Sequence, residues 1–155
     1  MVEQRTENPR VAGSIPALGI TQEGFIYTDS NGYIMGGSGG HSDTAAGSKL
    51  SMIIAPMQRA RLPIVTDKVT CISTPGKDVD VLVTQGGIAV NPKNAELKER
   101  FKDAGLPVID IRELKEKTEK LTGTPKPLKK GDRVVAEVIC RDGGVLDRIY
   151  NVPER

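Results

Sequence analysis

The sequence predicts an α/β fold with a mainly parallel, buried sheet, flanking helices and a C-terminal β-hairpin. Aromatic residues make up only 3% of the chain and Trp is absent, so the core must be built from aliphatic side chains, as is typical of buried strands. Strand-like runs come first, and strand-like and helical patterns alternate after them, which is the order expected of an α/β domain. A length of 155 residues is enough for one such domain.

The N-terminal stretch does not follow these patterns. Residues 1–20 carry charges of both signs and have no apolar segment, so they do not resemble a signal peptide. We expect a poorly ordered arm over 1–20 and the domain over 21–155. No stretch approaches the roughly 18 apolar residues of a membrane span, and the formal net charge is only +2. We therefore expect no membrane or nucleic-acid partner and a cytoplasmic location.

Four stretches are predicted to form strands, each for a different reason. A tight-turn signal lies within "GFIYTDSNGYIMGG" (24–37), and an apolar run closed by Pro56 lies within "KLSMIIAP" (49–56). Alternation at Val69, Cys71 and Ser73 marks "LPIVTDKVTCIST" (62–74), and a double-glycine break interrupts "VDVLVTQGGIAVNP" (79–92). The first predicts a hairpin, and the second predicts a fully buried strand.

Two helices are expected next. The first places Leu97, Phe101 and Ala104 on one stripe and ends at Gly105. "PVID" (107–110) then predicts a short strand.

The second helix starts at a capping box formed by Asp110 and Glu113, flanked by an apolar pair, Ile109 and Leu114, and it ends at Gly123. A proline- and lysine-rich connector follows. Two strand-like runs around "RDGG" (141–144) then predict the closing hairpin.

The glycine-rich loop "GGSGGHSDTAAG" (36–47) is the strongest candidate for a functional element. Glycines let backbone N–H groups approach an anion closely. The loop lacks the Lys-Ser/Thr pair of a phosphate-binding P-loop, and we expect an apolar strand soon after it instead of the helix of a dinucleotide fingerprint. A tight turn with solvated glycines remains the alternative interpretation.

The polar residues after these glycines allow several roles. In an extended loop His41 and Asp43 could point the same way, but no third or fourth metal ligand has suitable spacing, so no metal site is predicted. His41 could be a general base or a hydrogen-bonded loop residue, and Asp43 could cap a helical turn. Ser42 lacks the strand–turn–helix context of a nucleophile.

Longer sequence words resemble a known family. The words "GGSGGHSDTAAGSKLSMIIAP", "RARLPIVTDKVTCISTPGKDVDVLVTQGGIAVNP", "AGLPVIDIRELKEKTEKLTG" and "DRVVAEVICRDGGVLD" occur in this order. Together they resemble the C-terminal part of citrate lyase alpha chains, which are citrate CoA-transferases, over residues 25–152. The resemblance implies part of a CoA-transferase-like domain, and we expect a truncated, split or fragmentary product that lacks the upstream part.

The resemblance also implies an activity. Citrate would replace the acetyl group on an acyl-carrier thioester, giving a citryl-thioester and acetate. Implied partners are the citrate lyase beta chain and the gamma chain, whose dephospho-CoA-derived group carries the thioester. Free acetyl-CoA could serve in its place, and no cofactor or metal would be permanently bound. A non-catalytic assembly module, or a transferase for another carboxylate, remains open.

The segments that match the family imply which residues of this chain would form the family's site. Gly39 and Gly40 would donate backbone N–H groups to the oxyanion that forms when a carboxylate attacks a thioester. The residues implied to line the thioester or citrate are Gly37, Ser38, His41, Ser42, Asp43, Thr44 and Thr84. Gln85 and Gly86 stand where the family usually has an acidic and a bulkier residue, which leaves any role of that pair open.

Overall fold

A computed structural model describes residues 18–21, 24–27, 40–59, 62–69, 71–124 and 130–151, with only the backbone described for the first two ranges. Three helices and nine short strands lie in these ranges. In chain order they are β1 (Leu18–Thr21), β2 (Gly24–Tyr27), α1 (His41–Gly47), β3 (Met52–Ile54), β4 (Gln58–Arg59), β5 (Leu62–Pro63), β6 (Val81–Thr84), β7 (Gly87–Val90), α2 (Ala95–Asp103), α3 (Ile111–Thr122), β8 (Val134–Ile139) and β9 (Val145–Tyr150). A 3-10 turn, Gly76–Asp78, precedes β6.

The central sheet is mixed, and our expectation of a mainly parallel sheet is wrong for the described residues. Its strand order is β3-β6-β7, with β3 parallel to β6 and β6 antiparallel to β7. Only Gln85 and Gly86 separate β6 from β7, and a connection of two residues can join only antiparallel neighbours. The double-glycine break is therefore the turn of a hairpin.

The core is aliphatic, as the composition predicts. Leu82 of β6 and Leu114 of α3 are both fully buried, and α3 covers the sheet beside them. The buried cluster consists of Ala55, Ile64, Val65, Val79, Leu82, Ala89, Ile109 and Leu114.

Both predicted helices and the closing hairpin are confirmed. The α2 helix ends just before Ala104 and Gly105, and α3 ends just before Gly123. At the start of α3 the Arg112 amide donates to Oδ1 of Asp110 over 2.9 Å. Strands β8 and β9 pair antiparallel around the "RDGG" turn. No helix within the described ranges is both long enough and apolar enough to span a membrane.

The N-terminal expectations need correction where the structure describes them. Leu18–Ile20, expected to belong to an arm, form most of β1, which pairs antiparallel with β2. Strand β2 is the first half of the hairpin predicted over 24–37, yet its described partner precedes it in the chain. The second half of that predicted hairpin, like residues 1–17, lies outside the described residues.

Three predicted strands differ from the structure. In β3, Met52 is 53% and Ile54 is 82% exposed, so this strand is not fully buried. Among the described residues of the predicted 62–74 strand, only Leu62–Pro63 forms a named strand, because Ile64 and Val65 enter the core in an irregular bend. The expected "PVID" strand is a single parallel bridge between Val108 and Ile88.

Candidate functional site

The described part of the glycine loop opens a helix. Gly40 is the N-cap residue of α1, and its carbonyl accepts hydrogen bonds of 2.8 Å from both the amide and the hydroxyl of Thr44. The glycines thus lead into a seven-residue helix, and the apolar strand expected soon after the loop follows this helix as β3. Gly37, Ser38 and Gly39 lie outside the described residues.

The helical backbone changes the relation between His41 and Asp43. Residues two apart on a helix do not share a face, so the two side chains cannot form the pair expected for an extended loop. Asp43 is not the cap, because Gly40 holds that position and no side chain caps α1. Its carboxylate instead accepts from Nε of Arg141 over 3.1 Å, while Nη2 of Arg141 donates to the Asp43 carbonyl over 3.2 Å.

His41 contacts a buried threonine. Its Nδ1 lies 3.0 Å from Oγ1 of Thr74, a residue that is only 1% exposed. Thr74 directly precedes Pro75 and the 3-10 turn, and this turn is held by the Asn91 side chain, which donates to the carbonyls of Gly76 and Val79. The histidine ring thus rests on a fixed part of the fold.

The hydroxyl of Thr84 is engaged within its own turn. It donates to the Gly87 carbonyl over 3.0 Å and accepts from the Gly86 amide over 3.1 Å. Thr84 is the last residue of β6, whereas α1 leads into the other end of the sheet through Ser51. The structure therefore groups Gly40, His41, Ser42, Asp43 and Thr44 on one short helix and places Thr84 at the opposite end of β6.

Gln85 and Gly86, which differ from the residues usual in the family, have structural roles. Oε1 of Gln85 accepts from the Met57 amide over 3.1 Å. A Cβ added at Gly86 would lie 2.6 Å from Sδ of Met57 and 2.8 Å from Cδ1 of Leu114, so a larger residue would require both side chains to move. The turn between β6 and β7 is therefore packed closely around Gly86, with no space for a side chain unless its neighbours move.

Asp80 fixes the sheet end that faces α1. Its carboxylate accepts from the Ser51 amide over 2.8 Å and from the Asn94 side chain over 2.6 Å, and it lies 3.1 Å from Nζ of Lys93. Burial by itself raises the pKa of Asp80, but these hydrogen bonds and the Lys93 charge outweigh it, so the pKa lies below its ordinary value.

Sequence reasoning missed Thr74, Asp80 and Arg141. Their partners lie 33, 29 and 98 residues away for the contacts with His41, Ser51 and Asp43, so no local spacing marks them. In the part of the chain that the structure describes, no group of three or more His, Cys, Asp or Glu side chains could hold a metal ion.

Comparison with known proteins decides the family. The family model described as citrate lyase, alpha subunit (CitF), matches residues 17–152. The chain belongs to this family. The resemblance read from the sequence words is thereby confirmed, and the match extends it to β1.

Curated relatives agree with the family match. The chain is 52% identical over 127 residues to the citrate lyase alpha chain of Klebsiella pneumoniae and 50% identical over 129 residues to that of Escherichia coli K12. These matches cover 82% and 83% of this chain but 25% of each relative. The chain thus spans about a quarter of the length of the citrate lyase alpha chains it matches.

A solved structure shares the fold. It is described as the putative alpha subunit of citrate lyase from Streptococcus mutans in complex with citrate, and it is 45% identical to this chain with a TM-score of 0.82. The superposition covers 90% of this chain and 28% of that protein.

Proposed function

We propose that this chain forms part of the acyl-exchange site of a citrate CoA-transferase. In this reaction a carboxylate of citrate replaces acetate on a thioester, so that acetyl-thioester and citrate become citryl-thioester and acetate. Membership of the citrate lyase alpha subunit family supports the proposal, as does the citrate in the structurally similar Streptococcus mutans protein. The observation that carries it is the exposed glycine, Gly40, that opens α1 directly before His41.

The proposed acyl exchange requires hydrogen-bond donors beside the reacting thioester. Attack of a carboxylate on a thioester places negative charge on the thioester oxygen, and backbone N–H groups aimed at that oxygen stabilise the transition state. We assign this role to Gly39 and Gly40. An ideal Cβ at Gly40 meets nothing closer than Oγ1 of Thr44 at 3.9 Å, so glycine is not required here by packing among the described residues. Close approach of a substrate gives a reason for glycine that packing does not.

The other residues of the loop and one distant residue complete the proposal. We assign Gly37, Ser38, His41, Ser42, Asp43 and Thr44 to the surface that binds thioester or citrate. Thr84 would act by shaping its turn, because its hydroxyl already bonds Gly86 and Gly87.

The co-substrate would be acetyl-CoA or the dephospho-CoA-derived group of the gamma chain, with no permanently bound cofactor. The citrate lyase beta chain would use the citryl-thioester. Other parts of an alpha subunit would supply the rest of the site, because the relatives are about four times as long as the segment matched here.

The proposal is tested by citrate-dependent release of acetate from acetyl-CoA. The purified chain is assayed alone and after addition of the upstream part of the Escherichia coli alpha chain. Exchange that appears on complementation, and that requires citrate, supports the proposal. A complemented protein that binds the beta and gamma chains without exchange would instead identify an assembly module. Exchange with another carboxylate but not with citrate would identify a different transferase.

A further inference from the structure

The contact between Thr74 and His41 constrains where the histidine carries its proton. A threonine hydroxyl has one proton to donate and lone pairs that accept, and a neutral imidazole has one N–H donor and one acceptor nitrogen. Thr74 is only 1% exposed, so its hydroxyl proton has no access to bulk water. Buried donors are almost always hydrogen-bonded, because leaving one unsatisfied is unfavourable.

Two arrangements are compatible with a distance of 3.0 Å between Nδ1 and Oγ1. If Nδ1 carried the proton, the threonine oxygen would accept it and the hydroxyl proton would need another acceptor. Within the described residues, the Thr74 hydroxyl makes no other hydrogen bond than the one to His41. Among the described residues, the hydroxyl proton therefore has an acceptor only if Nδ1 accepts it.

We propose that Thr74 is a positioning residue that holds the neutral His41 ring in the tautomer with its proton on Nε2. The backbone around Thr74 supports this role. Pro75 restricts the conformation of the residue before it, and Asn91 clamps the following turn through the carbonyls of Gly76 and Val79. The hydroxyl is therefore presented to α1 from a rigid segment of the core.

A consequence follows for the ligand, and it rests on the proposed function. With Nδ1 accepting from Thr74, Nε2 carries the ring N–H instead of a lone pair. Any group that Nε2 contacts, in the protein or in the substrate, is then a hydrogen-bond acceptor, such as a carbonyl or carboxylate oxygen. The alternative in which Nε2 abstracts a proton as a general base is disfavoured.

The chain allows a direct test because it contains a single histidine. Two-bond proton–nitrogen correlation NMR of the neutral imidazole distinguishes a pyrrole-type nitrogen that carries a proton from a pyridine-type nitrogen that does not. We expect a pyrrole-type Nε2 and a pyridine-type Nδ1 in the wild-type chain. A pyrrole-type Nδ1 would overturn the proposal.

Variants separate the hydroxyl from the packing of its residue. Thr74→Ser keeps the hydroxyl and should keep the wild-type pattern, whereas Thr74→Val removes it and should shift both nitrogens toward values averaged over two tautomers. Thr118→Val is the matched control, because Thr118 is equally buried and its hydroxyl donates to the Leu114 carbonyl. An unchanged pattern in a folded Thr74→Val variant overturns the proposal. If that variant does not fold, the wild-type and Thr74→Ser patterns still decide.

This test is independent of turnover. A pyrrole-type Nε2 in a protein that shows no citrate exchange under any complementation would leave the tautomer assignment standing and remove the proposed function. Exchange in a protein with a pyrrole-type Nδ1 would support the proposed function and overturn the tautomer assignment.

Discussion

Nε of Arg141 lies 3.1 Å from Oδ1 of Asp43, and this ion pair joins the C-terminal hairpin to the helix that follows the glycine loop. The two side chains are 57% and 62% exposed, so the pair contributes at most about 1 kcal/mol to stability. Its geometry still matters, because the same guanidinium also donates to the Asp43 carbonyl. The pair therefore orients the first turn of α1 more than it stabilises the fold.

Arg141→Ala should loosen α1 without destabilising the chain as a whole. We expect faster amide hydrogen exchange in residues 41–47 and a change of less than about 1 kcal/mol in the free energy of unfolding. Arg148→Ala is the control, because Arg148 pairs with Glu137 inside the hairpin with similar exposure. Equal exchange rates in α1 for the two variants would show that the Arg141 contact does not position the helix.

Gly87→Ala should be strongly destabilising. Gly87 has a φ of 137°, and an added Cβ would lie 2.7 Å from Cγ2 of Ile109 and 3.0 Å from the Pro107 carbonyl oxygen. Backbone strain and overpacking together should cost at least about 2 kcal/mol, measured by chemical denaturation. Gly143→Ala is the comparison, because φ there is also positive but no atom of the described residues lies within 4 Å of the added Cβ. Equal losses in the two variants would mean that the close approach at Gly87 contributes nothing.

Asp80 should make stability depend on acidic pH. Its pKa in the folded chain is below the ordinary value of 3.8, so its stabilising effect is complete above that value and is lost as the pH falls through the folded-state pKa. We expect Asp80→Asn to flatten the fall in unfolding free energy below about pH 4.

Replacing Lys93 tests how its charge affects the pKa of the Asp80 carboxyl group. Lys93→Met removes the ammonium that helps to lower the pKa of Asp80, so the folded-state pKa moves back toward its ordinary value and the loss of stability on acidification should be smaller than in the wild type. Parallel acid profiles of wild type, Asp80→Asn and Lys93→Met would contradict this account of Asp80.

Two apolar residues of neighbouring strands should respond very differently to truncation. Leu82 is fully buried, and Leu82→Ala should cost about 2–5 kcal/mol through lost contacts and a cavity. Ile54 is 82% exposed, and Ile54→Ala should change the unfolding free energy by no more than about 0.5 kcal/mol. A large loss in the second variant would mean that the face of β3 is covered in solution.

Local sequence signals predicted the local elements well. The Asp110 cap, the glycines that follow α2 and α3 and the "RDGG" turn each act within a few residues, and those elements appear where expected. The run at Met52–Ile54 shows the limit. An apolar run reads the same whether its strand is buried on both faces or exposed on one, and that difference depends on what else packs against the sheet.

The candidate site was only partly predictable for the same reason. The resemblance to the family pointed to the glycine-rich loop and its polar residues as the candidate site. The contacts of His41 with Thr74 and of Asp43 with Arg141 join residues that lie 33 and 98 positions apart, which no spacing rule connects. The assignment of the Thr84 side chain did not anticipate that its hydroxyl would close its own turn.

In the proposed function, the glycine at the start of α1 serves acyl exchange. We would replace the matching quarter of the Escherichia coli alpha chain with this chain and measure citrate-dependent release of acetate from acetyl-CoA. Gly40→Val in this chimera should lower the rate by about 10²–10³-fold while the fold is retained, because a side chain blocks the approach of the thioester oxygen to the backbone donors. Gly47→Val lies at the other end of α1, where an added Cβ meets nothing within 4 Å among the described residues, and it should keep the rate. A folded Gly40→Val chimera that exchanges as fast as the Gly47→Val chimera would contradict the claim.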